Sequence, residues 1–361
     1  MSGVWGKNIQ YSIFGESHGK AIGINMSGLP SGIPLDLEFI KSEMARRAPG
    51  KDELSTPRAE KDEFEIISGY FNGYTTGTPL CALIWNSNKL SKDYDKLKTV
   101  MRPGHADYTG YLKYSGFNDY RGGGHFSGRL TAPLVFAGAI AKQFLNEKGI
   151  IIGSHICQIG TIKDTLFDAV NLCSEQLNEL HKSNFPVIAA EKAAAMKELI
   201  LNAKEDRDSI GGVVEAAIIN LPPKLGSPFF DSIESQLAHL LFSIPGIKGV
   251  EFGAGFEISK MRGSEANDQL YIDKGIVKTY TNNSGGILGG ITNGMPVIFR
   301  AAFKPTSSIG KPQNTVDIEA NDNVEIQVTG RHDPCIVQRA LPVVEAAAAM
   351  AIFDIMKGQI Q

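Results

Sequence analysis

The sequence lacks most of the signatures of a metal-dependent, secreted or membrane protein. Residues 1–10 contain no basic start followed by an apolar stretch, and no apolar run is long enough to cross a bilayer. The cysteines include no Cys-x-x-Cys pair, which argues against a zinc knuckle or a redox motif, and no cluster of potential ligands has convincing metal spacing. We expect a cytoplasmic protein with scattered, buried thiols. These are Cys81, Cys157, Cys173 and Cys335.

Nucleotide and nucleic-acid signatures are also missing. The net charge is -3, so nothing attracts the chain as a whole to nucleic acid or to an anionic membrane. There is no Walker A motif and no G-x-G-x-x-G after a strand, so ATP binding and a Rossmann-type dinucleotide site lose support. The one RGGG run is too isolated to indicate an RNA-binding tract. Basic residues must therefore act locally.

What the sequence does contain is the pattern of a large mixed α+β fold. Hydrophobic residues make up 42% of the 361 residues and charged residues 21%, as in ordinary globular proteins. Alternating segments predict strands over residues 65–70, 150–159, 212–220, 250–258, 295–303 and 324–328. Helical periodicity predicts helices over residues 35–47, 133–148, 187–203, 232–242 and 335–356. Pro342 should kink the last helix or mark a change of direction.

A weak internal repeat runs through these elements. A strand, then Leu-Pro at 29–30 and a helix ending at Pro-Gly 49–50, is echoed by Leu-Pro at 221–222 and a helix ending at Pro-Gly 245–246. The echo suggests duplicated strand–helix–strand halves, although convergent use of Pro and Gly at helix ends explains it at least as well. Because no Ser/Pro-rich linker separates the halves, we expect a single domain over residues 1–361.

The seven histidines fall into two groups. Three lie within apolar patterns and are predicted to be structural, namely His155, His181 and His239. Four stand beside glycine, arginine or aspartate in predicted turns, where residues commonly carry function. These are His18, His105, His125 and His332. A single turn histidine would more often bond nearby backbone, but four in the same setting favour proton transfer, because imidazole titrates near neutrality.

Basic residues accompany these histidines and together predict an anionic substrate, because a guanidinium binds a carboxylate or a phosphate through two parallel hydrogen bonds. Any one of them alone is better explained as a solvated surface charge. Segments 121–129, 285–294 and 304–308 offer glycine amides or hydroxyls to a phosphate or a planar ligand. The basic residues are Arg46, Arg47, Arg102, Arg121, Arg129, Lys304 and Arg331.

Eight segments between Phe14 and Cys335 resemble, in order and approximate spacing, the signature blocks of the chorismate synthase family. They are FGESHG, RRAPG, RPGHADYT, DYRGGGHFSGR, SIPGIKGVEFG, GGILGGITNG, KPTSS and GRHDPC. The resemblance implies conversion of 5-enolpyruvylshikimate 3-phosphate to chorismate by elimination of phosphate, with reduced FMN as cofactor. It also implies a β-α-β sandwich, with central helices between antiparallel sheets, and a homotetramer.

The resemblance also implies roles for individual residues. His18 matches the histidine that protonates the departing phosphate, and His105 the one that protonates reduced flavin. Asp333 matches the aspartate that acts with flavin N5 in removing the substrate's C6 proton, and Ser17 and Ser127 match hydrogen-bonding serines beside it. The substrate anions are expected to bind Arg47, Arg102, Arg129 and Arg331. Flavin contacts are expected from His125, Phe126, Ser127, Pro245, Gly246, Gly289, Lys304, Pro305, Thr306, Ser307, Ser308 and Arg331.

Two features depart from parts of the family. Some relatives carry a second basic residue beyond the Pro-Gly turn, where this chain has Asp52 and Glu53, so a contact with NADP there lacks its basic group. The large insertions of bifunctional fungal members, which reduce their own flavin with NADPH, are not apparent in 361 residues. We therefore expect a monofunctional enzyme that receives reduced FMN from a separate flavin reductase.

Two rival functions fit the residues alone. A phosphohydrolase or mutase would use His18 or His105 as a phosphate acceptor and would release phosphate without flavin. A flavin- or anion-binding sensor would use the same arginines without turnover. Neither explains the ordered set of segments.

Overall fold

The computed structural model describes residues 3–50, 53–55, 62–86, 97–328 and 332–359. The strands in this part of the chain are β1 (Val4–Trp5), β2 (Gln10–Gly15), β3 (Ala21–Ser27), β4 (Phe64–Ser68), β5 (Tyr70–Phe71), β6 (Tyr74–Thr75), β7 (Leu80–Trp85), β8 (Ile151–Ile159), β9 (Ile162–Lys163), β10 (Gly212–Ile219), β11 (Ile247–Phe252), β12 (Leu270–Asp273), β13 (Ile276–Thr279), β14 (Ile287–Leu288), β15 (Ile291–Thr292), β16 (Val297–Phe303), β17 (Gln313–Asp317) and β18 (Asp322–Ile326). The helices are α1 (Leu37–Arg47), α2 (Asp107–Tyr114), α3 (Thr131–Glu147), α4 (Ser174–Lys182), α5 (Ala190–Glu205), α6 (Ile233–Ser243), α7 (Gly263–Ala266) and α8 (Val337–Gln359).

Two antiparallel sheets enclose a layer of helices. One five-stranded sheet has the order β1-β2-β3-β7-β4, and the other has the order β11-β16-β10-β8-β9. Helix α3 packs on β3 and β7 of the first sheet, α8 packs on β8 and β10 of the second, and the two helices pack on each other. Helices α1 and α6 flank this pair, each in contact with α8. The architecture is the β-α-β sandwich that the sequence predicts.

The central helix pair is close because its contact residues are small. A Cβ atom on Gly138 of α3 would lie 2.2 Å from the Cβ of Ala346 in α8, nearer than two carbon atoms can approach. Helix α8 is rich in alanine and buried over most of its length, as expected for a helix covered on every face. Glycine and alanine therefore set the separation of the two central helices.

A cluster of buried charges joins α1, α3 and α8 inside this layer. Glu345 of α8 accepts hydrogen bonds from Arg46 Nη1 at 2.6 Å and from Ser154 Oγ at 2.6 Å. Lys142 of α3 binds the same carboxylate and lies 2.6 Å from Glu43 of α1. Because each carboxylate has a cationic partner, the cluster can be buried without leaving a lone charge. Arg46, one of the basic residues singled out in the sequence, belongs to this core cluster.

The internal repeat is visible in the hydrogen bonds of the two halves. Thr75 Oγ1 donates to the carbonyl of Pro30 at 2.7 Å, and Thr292 Oγ1 donates to the carbonyl of Pro222 at 2.7 Å. In each half the amide three residues after that proline donates back to the threonine oxygen at 3.0 Å. The sequence echo at residues 29–30 and 221–222 therefore marks equivalent turns in the two halves.

The predicted elements are confirmed to within three residues at each end, with one exception. The strand predicted over residues 250–258 ends at Phe252, where the chain turns into a 3-10 helix over Gly255–Lys260. Helix α8 continues through Pro342 without a break. Among the described strands and helices of five or more residues, the sequence reasoning missed β2, β7, β17, α2 and α4. It placed a strand before Leu29, where β3 lies, but gave it no bounds.

Candidate active site

Two adjoining cavities lie where the helix layer meets the loops that carry the signature segments. The larger has a volume of about 770 Å³ and the smaller about 200 Å³. They share five lining residues, namely Gly128, Ile244, Pro245, Asp333 and Ile336. Of the residues predicted to bind flavin, the larger cavity is lined by His125, Phe126, Pro245, Gly246, Lys304, Pro305, Thr306, Ser307 and Ser308. Its wall also includes His105.

The smaller cavity is rich in groups that bind anions. It is lined by Arg47, Arg129 and Arg339, and by Ser127 and Asp333. The first turns of α3 and α8 also form part of its wall. Unpaired amides and the positive end of the helix dipole meet at such termini. The walls of this cavity therefore favour a ligand with several negative charges.

Two of the predicted catalytic histidines pack against the triple glycine at residues 122–124, on adjacent glycines. All three glycines have positive φ, at 61°, 91° and 55°. A Cβ on Gly122 would be 2.0 Å from Cε1 of His18, and a Cβ on Gly123 would be 3.1 Å from Nε2 of His105. The glycine backbone is therefore the surface on which both imidazoles pack, and no side chain fits between it and His18.

His18 is almost fully buried, and the segment around it is anchored to the glycine run. Ser17 donates its amide to the carbonyl of Gly124 at 3.1 Å and its hydroxyl to the carbonyl of Arg121 at 3.3 Å. The Ser17 Oγ lies 3.3 Å from His18 Nδ1. The side chains of Ser17 and His18, both predicted to be catalytic residues, are thus in contact.

Asp119 and Arg121 add a charged pair next to His18. The Arg121 guanidinium donates to both oxygens of Asp119, at 2.8 Å and 2.7 Å. These hydrogen bonds lower the pKa of Asp119, so its carboxylate stays ionised. Its negative charge acts electrostatically on His18.

His105 is held by a second ion pair. Its Nδ1 lies 2.6 Å from Oδ1 of Asp107. The same oxygen accepts from Arg102 Nη2 at 2.8 Å, and Oδ2 of Asp107 accepts from the Arg102 amide at 3.1 Å and from Nε at 2.7 Å. Arg102 Nη1 donates to Ser308 Oγ at 3.2 Å. Arg102 was predicted to bind substrate. Its guanidinium instead donates hydrogen bonds to Asp107 and to the hydroxyl-rich loop at residues 304–308.

Two predicted substrate arginines converge on one buried carboxylate. Asp62 accepts from Arg47 Nε at 2.8 Å and Nη2 at 2.5 Å, and its other oxygen binds Arg129 Nη1. The Asp62 side chain is fully buried. The carboxylate holds the two guanidiniums side by side at the smaller cavity, where their like charges would otherwise repel each other.

Asp333 occupies the wall shared by both cavities. Its Oδ2 accepts from Arg339 Nη1 at 2.7 Å, and its carbonyl accepts from Thr306 Oγ1 at 3.1 Å. Arg339 Nε also donates to the carbonyl of Arg47 at 3.1 Å. The carboxylate is therefore positioned between the two ligand spaces by contacts from both sides.

The loop at residues 304–308 places one ammonium group and three hydroxyls in the wall of the larger cavity. Lys304 Nζ donates to Ser307 Oγ at 3.2 Å and to the carbonyl of Gly104. Burial, together with the positive charge of Lys248, lowers the pKa of Lys304. Two ammonium groups placed close enough to repel each other are an arrangement that a bound phosphate would stabilise.

Three predicted site residues need separate mention. His125 is exposed, and its Nδ1 lies 2.9 Å from the carbonyl of Gly15. Gly289 stands in the turn between β14 and β15, and no lining residue of either cavity comes from that turn. Arg331 lies outside the described residues, as does Asp52.

The sequence reasoning assigned no role to four charged residues at the site. They are Asp62, Asp107, Lys248 and Arg339. Asp107 was quoted within the RPGHADYT segment, and its spacing of two residues from His105 was the available signal. Asp62 offered none, because its partners come from distant segments.

Of the histidines predicted to be structural, His155 and His181 line neither cavity, whereas His239 is a lining residue of the larger one. His155 is completely buried between Asp164 at 3.1 Å and Glu215 at 2.9 Å. His181 lies 3.3 Å from Glu43 of the core charge cluster. Proton exchange with solvent or a ligand is blocked for His155, which agrees with a structural role.

Comparison with known proteins identifies the family. The family model described as chorismate synthase matches residues 9–356. The chorismate synthase of Thermococcus gammatolerans is 49% identical over 351 residues, covering 97% of this chain and 96% of the relative. That of Methanocaldococcus jannaschii is 45% identical, covering 99% and 96%. A crystal structure of chorismate synthase superposes with a TM-score of 0.76 at 31% identity, over 98% of this chain and 93% of that one. The chain belongs to the chorismate synthase family and is a lyase.

Proposed function

We propose that the smaller cavity binds 5-enolpyruvylshikimate 3-phosphate and the larger cavity binds reduced FMN, and that the site eliminates phosphate from the substrate to give chorismate. The observation that carries the proposal is the position of Asp333 in the wall common to both cavities. A base there can reach a substrate on one side while a planar cofactor lies on the other. Family membership supports the same reaction.

The larger cavity suits FMN in size and in chemistry. Its volume of about 770 Å³ falls within the range of about 300–1,000 Å³ that is common for cofactor sites. Lys304, Lys248 and Ser307 offer two charges and a hydroxyl to a phosphate. When bound, reduced FMN supplies an electron-rich ring whose N5 assists removal of the C6 proton of the substrate.

The chain's own groups divide the work at the smaller cavity. Arg47 and Arg129, both bound to Asp62, bind the substrate's anionic groups. His18, which is buried beside Gly122 and is not among the lining residues of either cavity, donates a proton to the departing phosphate, and Asp333, oriented by Arg339, accepts the C6 proton. Arg331, although outside the described residues, is proposed to complete the substrate clamp.

His105 is proposed to hold a proton for the flavin, because it stands in the wall of the larger cavity. Its neighbours in that wall include Phe126, which packs with Tyr114 of α2 at 6.2 Å between ring centroids. The apolar part of the wall would exclude water from one face of a flat ring.

The decisive experiment is anaerobic incubation of the purified chain with 5-enolpyruvylshikimate 3-phosphate and photoreduced FMN. We expect chorismate absorbance and free phosphate to rise together, in equal amounts. Phosphate release without flavin would indicate the phosphohydrolase, and tight ligand binding without turnover would indicate the sensor. Either result would overturn the proposal.

We further propose that a separate flavin reductase supplies the reduced FMN and that the chain is monofunctional. The test is aerobic incubation with NADPH, oxidised FMN and substrate. We expect no chorismate until a flavin reductase is added. NADPH consumption and chorismate formation by the chain alone would contradict this.

We propose that the enzyme works in the cytoplasm. The four cysteines are unpaired, but only Cys157 and Cys335 are buried as expected, whereas Cys173 is exposed. Burial raises the pKa of Cys157 and of Cys335 to about 12, so these thiols stay protonated. Such thiols suit a reducing compartment. Among the described residues, the helices include none with the length and apolarity needed to span a bilayer.

We also propose a homotetramer, supported by exposed apolar surface on the β12–β13 hairpin. Leu270, Ile272 and Val277 share one face of this hairpin and are 64%, 74% and 55% exposed. Apolar side chains grouped in this way commonly mark subunit contacts. The change Ile272→Lys should lower the mass measured by light scattering, whereas Leu166→Lys, at another exposed site, should not. An unchanged tetramer in both variants would remove the hairpin from the interface.

A further inference from the structure

Asp107 differs from the other carboxylates of the site because it contacts a histidine that faces a ligand space. Its Oδ1 lies 2.6 Å from Nδ1 of His105, and its side chain is only 6% exposed. The opposite edge of the imidazole, with Cε1 and Nε2, lies toward Gly123, and His105 is part of the wall of the larger cavity. Asp107 therefore contacts Nδ1 and leaves Nε2 free of this carboxylate.

The geometry points to Asp107 as the positioning residue of His105, which keeps a proton on Nδ1 and leaves Nε2 to exchange a proton with the ligand in the larger cavity. This inference rests on the proposed role of His105 toward reduced flavin. It assigns Asp107 to the chemistry of the site and not only to the fold.

The proton position follows from the distance. Two acceptors cannot stay 2.6 Å apart, so a proton must lie between Nδ1 and Oδ1. Burial alone would raise the pKa of Asp107, but hydrogen bonds from Arg102 and His105 outweigh it and hold that pKa well below its usual range. The carboxylate is therefore ionised, and the shared proton belongs to the imidazole.

Arg102 defines how Asp107 can act. It binds both carboxylate oxygens, at 2.7 Å and 2.8 Å, so the carboxylate cannot rotate away from the imidazole. The other charged groups around this pair are Lys304, which binds the carbonyl of Gly104, and His332, which interacts with Arg102. Arg102 Nη2 also lies 3.2 Å from His105 Nδ1, but it is closer to Oδ1 of Asp107, at 2.8 Å, and a guanidinium cannot accept a proton. Among the described neighbours of Nδ1, Asp107 is therefore the acceptor that favours a proton on this nitrogen.

The first test reads the tautomer directly, without turnover. In ¹⁵N spectra of the protein labelled at histidine, we expect the neutral His105 imidazole to carry its proton on Nδ1. In Asp107→Asn the side-chain amide can donate to Nδ1, so the proton should move to Nε2. A neutral wild-type imidazole protonated on Nε2 would overturn the inference, even if the variant fails to fold.

The second test is a double-mutant cycle with Asp107→Asn and His105→Ala. We expect Asp107→Asn to lower kcat by about 10- to 100-fold with little change in KM for substrate, the range found for groups that orient a metal-binding histidine. In the His105→Ala background the same change should cost nothing further. Additive losses would show that Asp107 acts on the fold or on Arg102 instead.

Two further measurements complete the test: the conservative variant Asp107→Glu and the activity of His105→Ala. Asp107→Glu should restore part of kcat and the Nδ1 proton, whereas a purely packing role would not be rescued by the longer side chain. If His105→Ala keeps wild-type activity, the proposed role of His105 is wrong. The tautomer spectra would still decide whether Asp107 positions it.

Discussion

The backbone of Gly122 and the imidazole of His18 are in direct contact, so that a Cβ on the glycine would lie 2.0 Å from Cε1. The positive φ of 61° at Gly122 adds a second reason for glycine. A buried histidine proposed to deliver a proton is thus held in place by a residue with no side chain. The identity of Gly122 is a requirement of the site as well as of the turn.

The change Gly122→Ala should therefore displace His18 and lower kcat on the order of a hundredfold, the usual contribution of a general acid. The control is Gly73→Ala, where φ is 89° but no atom lies within 4 Å of the added Cβ. Both variants carry the backbone cost, and only the first moves the histidine. Steady-state kinetics under anaerobic conditions would contradict the prediction if both variants lost activity equally.

Asp62→Asn should destabilise the free protein by about 3–5 kcal/mol, because it leaves Arg47 and Arg129 buried without their shared counter-charge. The anionic substrate should compensate, since it supplies negative charge to the same guanidiniums. We expect the substrate to raise the Tm of Asp62→Asn more than that of the wild type. Equal shifts in thermal denaturation would mean that these arginines do not bind the substrate.

Arg339→Met should reduce kcat more than it changes KM, because it removes the hydrogen bond that orients Asp333. We expect a loss of about 10- to 100-fold, typical of a group that holds a catalytic side chain. Lys260→Met, at an exposed ion pair on the surface, is the control and should behave as the wild type. A rise in KM with kcat preserved would instead make Arg339 a substrate ligand.

Lys304→Met should weaken binding of reduced FMN by roughly tenfold to a hundredfold, the effect of losing one charge-assisted hydrogen bond. Lys248→Met should have a smaller effect, through charge alone. Reduced riboflavin provides the control because it has no phosphate, and its affinity should not change. Fluorescence titration would refute a phosphate site at this loop if both flavins lost affinity equally.

The two structural histidines should give opposite pH dependences of stability. For His155, burial would lower the pKa, but hydrogen bonds to Asp164 and Glu215 outweigh it and raise the pKa. Its stabilising effect is fully present below the ordinary histidine pKa of about 6.5 and is lost as the pH rises through the raised value. His155→Gln should therefore cost most free energy of unfolding at low pH.

Burial, reinforced by the charge of Arg46, lowers the pKa of His181. The unfolded chain then binds the proton first, so the wild type loses stability as the pH falls through about 6.5. The change His181→Gln should relieve that loss. Urea denaturation between about pH 5.5 and pH 9 checks both signs, above the range in which ordinary carboxylates titrate. The same trend in both variants would contradict the assignment.

The signature segments predicted which side chains meet, because each combines a turn with groups whose chemistry is recognisable alone. His105, Asp333 and the loop at residues 304–308 line the cavities, and His18 packs on the glycine run at residues 122–124. Their counter-charges were not predictable in the same way. Asp62 is separated from Arg129 by 67 residues, and nothing local indicates that pairing.

The strands that the sequence did not locate show a similar limit of reasoning from local pattern. In β3 the segment AIGINMS has buried residues next to one another, because one face packs on α3 and the other is partly covered, so its burial does not alternate. The second half was easier to predict, since β8 and β10 are long and rich in branched apolar residues. Hydrophobic periodicity and composition reveal a strand only when one of its faces is clearly exposed to solvent or both faces are clearly buried.

The contact between Gly138 and Ala346 has a consequence at a distance. Helix α3 begins just after Arg129, and α8 begins just after Asp333, so the first turns of both helices line the smaller cavity. Arg129 is proposed to bind the substrate, and Asp333 is proposed to deprotonate it. The distance between these two residues therefore depends on the absence of a side chain at Gly138, which lies inside the helix layer and not at the ligand site.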